Sequence, residues 1–208
     1  MKILLFISFF SVITLKSYSQ EAFMEKPKVP IPLSIALTNN STQLPGSGTL
    51  GVLHTPVHPG ITLGTYKLWS AKAKHAWLQS LKLAYFYHHY SQHAISLYTE
   101  IVWSYSLAKN FGTNISAGSG YLHAIKDVQV FEMNENGSYE KKKSIGSAQF
   151  AAGLQLGFFY RINRANINPI SLFADYRFWV QTPFVKEYVP VLPYSTFQIG
   201  FTFFIFKK

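Results

Sequence analysis

The sequence predicts an all-β chain, an eight-stranded antiparallel transmembrane β-barrel with up-and-down meander topology. Three observations lead there. Apolar residues recur with period two over long runs, and the bulky side of each run opposes a side of glycine, small and amide residues. Only 13% of the 208 residues are charged, about half the ~25% of an ordinary globular domain, whereas 17% are aromatic.

The amino terminus reads MKILLFISFFSVITLKSYSQ. A basic start at Lys2, an apolar run over 3–15 and the small residues Ser17 and Ser19 ahead of Gln20 form a secretory signal pattern, with cleavage expected after Ser19. The apolar run is too short for a spanning helix, which needs about 20 residues. The expected organisation is a signal peptide at 1–19, an extended periplasmic lead-in at 20–32 carrying Pro27, Pro30 and Pro32, and a barrel over 33–208. With no cysteine in the chain, disulfides, thiolate metal sites, a cysteine nucleophile and a lipid-anchored cysteine are all excluded.

The clearest strand is 147–162. Ala148, Phe150, Ala152, Leu154, Leu156, Phe158, Tyr160 and Ile162 share one side; Ser147, Gln149, Ala151, Gly153, Gln155, Gly157, Phe159 and Arg161 share the other. The run 195–206 repeats the pattern, with Phe197, Ile199, Phe201, Phe203 and Ile205 against Gln198, Gly200 and Thr202. A soluble sandwich puts bulk on its packed inner face and charge outside. Here the small polar side suits a crowded narrow lumen and the bulky side suits lipid. Further strands read at 61–69, 77–90, 94–106, 111–124 and 169–181. The first strand lies at 33–37 or at 49–53, since using both would give an odd number of strands.

These features together resemble the small eight-stranded outer-membrane β-barrel proteins of Gram-negative bacteria, over residues 33–206. At the carboxy end, Gln198, Gly200, Phe203 and Ile205 resemble the signal read by the barrel-assembly machinery, although Lys207 and Lys208 replace the usual aromatic ending. The resemblance implies residence in the cell outer membrane, with outer-membrane lipid and, during insertion, the assembly machinery as partners. The short connections 107–110 and 163–168 then face the periplasm, and the long loops 125–146 and 182–194 face outward as sites for an extracellular ligand or protein. Lys72, Lys74, Lys109, Arg161, Arg164, Lys207 and Lys208 collect at the periplasmic end, opposite anionic headgroups. No nucleic-acid partner and no cofactor are expected.

Histidines gather at the other end. His54, His58, His88, His89, His93 and His123 all fall at the outer rim, and converging imidazoles can hold a transition metal. The alternative is an interfacial girdle of rings with one wet edge. Parity between strands three and four requires an odd hairpin loop, either 91–93 or 89–93, with His93 at its tip. His89, Ser91 and Glu100 resemble the triad of the lipid A deacylases, in which serine attacks an ester, histidine is the base and a carboxylate orients it. Gln92 stands where that family has asparagine, and the motif lies mid-chain. Inside the lumen, Lys82, Glu100, Asp175 and Arg177 are expected to pair into a plug, because an unpaired buried charge costs several kcal/mol. The leading expectation is therefore a plugged barrel that displays binding or structural loops. A lipid A deacylase-like esterase, a metal-binding barrel and a small gated channel are the alternatives.

Overall fold

The computed structural model describes residues 30–42, 57–89, 91–127, 131–133, 137–141, 145–162, 169–185 and 188–206. The signal peptide, most of the lead-in, the 49–53 alternative and His54 lie outside the described residues. Eight long strands follow in chain order: β1 (Pro30–Ser41), β2 (Pro59–Ala71), β3 (His75–His88), β4 (Gln92–Ser106), β5 (Phe111–Lys126), β8 (Ser147–Ile162), β9 (Ile170–Thr182) and β10 (Leu192–Phe206). Each pairs antiparallel with its chain neighbours, and β1 pairs with β10, so the sheet closes as an up-and-down barrel. Two short strands, β6 (Phe131–Met133) and β7 (Tyr139–Lys141), form a separate hairpin between β5 and β8.

Closure removes the unpaired edges that an open sheet would expose. All long connections then lie at one end of the barrel, called here the loop end. The turns 72–74 and 107–110 and the strand ends Pro30, Ile162, Ile170 and Phe206 lie at the other, the base.

Several boundaries differ from the sequence reading, each for a local reason. β1 begins at Pro30, inside the expected lead-in. Its first residues pair only with β10, since pairing with β2 starts at Leu33 and Thr65, and a one-sided strand end tolerates proline's missing N–H. β10 begins at Leu192 by the same logic: Leu192, Pro193 and Tyr194 pair only with β9. They belong to the barrel wall and not to the 182–194 loop. Likewise β5 runs to Lys126, so Ile125 and Lys126 belong to the wall. The β3–β4 pairing ends at His88 and Gln92, giving an odd three-residue loop at 89–91. His93 therefore lies in β4 opposite Tyr87, not at a hairpin tip.

Burial alternates with period two, as in β4, where Gln92, Ala94, Ser96, Tyr98, Glu100, Val102 and Ser104 are buried and Ile95, Leu97 and Ile101 are exposed. The outward side is apolar all round: Leu37, Leu63, Leu83, Leu97, Ile115, Leu154, Leu172 and Ile199 are each exposed. Among the described barrel strands, Lys67 is the acidic or basic residue on this outward alternation.

Candidate functional site

The barrel places its ionic residues inside. Across the middle of the lumen, Glu100 sits on β4 opposite Ser80 and diagonal to Lys82, which faces Tyr98. Lys82 Nζ lies 2.7 Å from Glu100 Oε2, and Arg177 Nε lies 3.6 Å from Glu100 Oε1. Ser80 Oγ also donates to Glu100, at 3.3 Å. The Arg177 guanidinium lies 3.9 Å from the Tyr98 ring centroid, a cation–π contact. Asp175 is held by amides and not by a cation: Gln155 Nε2 and Gln198 Nε2 donate to its Oδ2 at 2.8 and 3.0 Å. Gln155 Oε1 accepts from Lys82 Nζ and Gln198 Nε2 at 3.4 and 2.9 Å, joining the two halves of the layer.

This layer holds two basic and two acidic side chains, all buried. Glycines make the room for it. Gly118 lies opposite Glu100, and a Cβ there would come 2.5 Å from Glu100 Cγ; a Cβ at Gly157 would overlap the Asp175 carboxylate. The four charged residues are legible from strand parity, whereas the linking role of Gln155 and Gln198 is not. Their only sequence signal is an amide on the small side of a strand.

Above this layer, toward the loop end, a cluster of buried rings and amides occupies the lumen. Trp179 stacks on Tyr194 with centroids 4.5 Å apart, and Phe86 meets both edge-on at 5.8 and 5.7 Å. Leu122 and Tyr194 are fully buried. Gln92 Nε2 bridges Gln181 Oε1 at 3.0 Å and the Tyr194 hydroxyl at 3.2 Å, and Trp179 Nε1 donates to Thr196 Oγ1 at 2.8 Å. Tyr194, assigned by sequence to an outer loop, is thus a central part of this cluster.

Below the ionic layer the same inward alternation leaves space. A cavity of about 630 Å³ runs from that layer toward the base, lined by Pro32, Leu78, Val102, Phe159, Phe173 and Phe204, with Lys82, Gln155 and Asp175 at its inner end and Arg161 among its lining residues.

The rim histidines divide between two sides of the wall. His58 and His88 pack together with ring centroids 3.7 Å apart. Burial first, and then the neighbouring His88 and His89, lower the His58 pKa from 6.5 to about 4. The other three rings each meet a tyrosine: His93 Nδ1 and Tyr85 OH at 2.8 Å, His89 Nδ1 and Tyr87 OH at 2.8 Å, and His123 Nδ1 and Tyr121 OH at 3.0 Å. Beyond these contacts, His93 lies 3.6 Å from Asp127 Oδ1, and His123 Nε2 meets the Ile145 carbonyl at 3.0 Å. No cluster of three or more histidine, cysteine or carboxylate residues suited to a metal occurs among the described residues.

The triad residues are not brought together. Ser91 and His89 flank the hairpin tip, while Glu100 lies eight residues down β4 from Gln92, roughly 26 Å along the strand. Its carboxylate is bonded to Lys82 and Ser80.

No family model matches the chain, and no curated protein matches it. Similar solved structures include Neisserial surface protein A, at 11% identity, 86% coverage of this chain, 96% of that one and a TM-score of 0.48. The outer membrane enzyme PagL is similar at 13% identity, with 82% and 97% coverage and a TM-score of 0.43. Ail, the attachment invasion locus protein of Yersinia pestis, is similar at 12% identity, with 85% and 97% coverage and a TM-score of 0.36. At these similarities the barrel rests on its own strand pairing.

Proposed function

We propose that the protein is an outer-membrane β-barrel that forms no constitutive diffusion pore and presents its loop end as an extracellular binding surface. One inversion carries this reading: Lys82, Glu100, Asp175 and Arg177 lie buried inside, and leucine, isoleucine and phenylalanine cover the outside. Exposed apolar surface on this scale needs lipid against it. Rings bound the apolar band, with Tyr85, Tyr87 and Tyr121 toward the loop end and Trp77, Trp103 and Tyr105 toward the base. From Tyr85 to Trp77 the strand covers eight residues, ~20 Å along the axis at a ~40° tilt, close to the ~25 Å band of such barrels.

The loop end is extracellular in this reading, because the described barrel ends Pro30 and Phe206 and the turns 72–74 and 107–110 sit at the base. Among its exposed large side chains are Ile145, ahead of β8, and Tyr188, 83% exposed in the loop between β9 and β10. The described residues of that loop are tied by backbone bonds, Val185 N to Val189 O at 2.9 Å and Phe184 N to Pro190 O at 3.2 Å. Residues already tied in this way lose less entropy on binding a partner.

Planar-bilayer recording of the full chain tests the closed lumen. We expect no steady conductance from the wild type. A steady conductance that does not rise in Glu100→Ala would show the lumen to be open already.

A further inference from the structure

We propose that the cavity at the base is a binding site for a single-chain fatty carboxylate, with the tail running up the lumen and the carboxylate at Arg161. The proposal goes beyond the reading of the loop end and stands on the lower lumen alone. Inward positions of a narrow barrel are ordinarily filled by their own side chains. Above the ionic layer they are; below it, Pro32, Leu78, Val102, Phe159, Phe173 and Phe204 line about 630 Å³ of open space. That volume lies in the usual ligand range of ~300–1,000 Å³. An apolar tail would take this lining out of water, which is favourable in proportion to the area covered.

Depth and width select the ligand. From Arg161 to Gln155 the strand covers six residues, ~20 Å along β8 and ~15 Å along the axis. This accepts one chain of medium length, and an eight-stranded lumen is too narrow for two side by side.

Charge selects the head. Arg161 alternates inward at the mouth, its guanidinium 4.6 Å from the Phe159 centroid. Lys72, Lys74 and Lys109 stand on the surrounding turns. No aspartate or glutamate among the described residues lies nearer the base than Asp175. Among the described residues, a carboxylate at the mouth meets Arg161 and the turn lysines, whereas at the inner end Lys82 is already paired with Glu100.

The test uses the full chain in lipid nanodiscs with methyl-labelled leucine and valine, titrated with decanoate and, separately, with decanol. The Leu78 and Val102 methyls should shift saturably with decanoate, and the outward Leu83 and Leu97 methyls should not. Decanol should bind at least tenfold more weakly. Arg161→Gln should weaken decanoate by roughly tenfold and leave decanol unchanged, in line with the loss of one charge-assisted contact. Leu78→Trp should abolish the Val102 response. Equal non-saturating shifts at all four methyls would reduce the effect to membrane partitioning and overturn the site. Equal binding of decanoate and decanol by the wild type, a comparison that needs no variant to fold, would overturn the role of Arg161.

Discussion

The two halves of the lumen are built from the same kinds of residue and end in opposite states. Toward the loop end, Phe86, Leu122, Trp179 and Tyr194 pack into one buried cluster. Toward the base, Leu78, Val102, Phe159, Phe173 and Phe204 stay on the wall and leave a cavity. The difference is one of reach and room. Trp179 and Tyr194 stack as neighbours on β9 and β10 and are long enough to meet Phe86 of β3 from across the lumen, and Gly153 beside Trp179 leaves the gap it needs, since a Cβ there would come 2.5 Å from Trp179 Cβ. An inward apolar residue in a barrel therefore plugs or lines, depending on what faces it.

The largest effect is expected at the boundary between the halves. Glu100→Ala would leave Lys82 and Arg177 as two buried cations sharing no carboxylate, destabilising the barrel by ~3–5 kcal/mol. Urea unfolding in detergent, followed by the heat-dependent gel shift, measures it. Unchanged stability would mean that water already reaches the layer.

Trp179→Ala should cost about as much, ~3–5 kcal/mol, by opening a void in the packed half. A loss below ~1 kcal/mol would show that the upper lumen is not close-packed. The same unfolding assay checks it.

Acid should act next, at the rim. The folded pKa of His58 is about 4 against an ordinary 6.5, so its neutral form is favoured by folding. Its contribution is complete above pH ~6.5 and is lost as pH falls toward 4. An NMR titration of the His58 ring should show a midpoint near 4, and a midpoint at the ordinary value would place the ring in water.

The smallest effect belongs to the open half. Leu78→Trp adds bulk where space exists and should stabilise by roughly 0.5–2 kcal/mol. A large destabilisation would show that the lower lumen is packed like the upper.

Much of this was legible in the sequence because a strand's period of two writes inside and outside directly into residue order. Lys82, Glu100, Asp175 and Arg177 could be placed inward from parity alone, and the odd β3–β4 loop followed from matching faces. Parity says nothing about which inward residues touch across the barrel, because that depends on register around the whole ring. Gln155, on β8, reaches Lys82 on β3 only because closure brings their inward faces together. The ends of strands were also obscured. Pro30, Pro32 and Pro193 read as loop, yet each occupies a stretch paired on one side only. For the same reason Tyr194 reads as part of an outer loop, although it packs inside the barrel against Trp179 and Phe86.

The asymmetry itself can be tested with single cysteines, since the chain has none of its own. Val102→Cys and Ala94→Cys place one thiol in the open half and one in the packed half of the same strand. The variants would be reconstituted in liposomes with the loop end outward, an orientation verified by protease cleavage in the 183–191 loop. A membrane-impermeant charged maleimide would then be added outside or trapped inside. With the lumen closed above and open below, Val102→Cys reacts only with reagent trapped inside, and Ala94→Cys reacts with neither. Reaction of Val102→Cys from outside at a comparable rate would contradict the closed upper lumen.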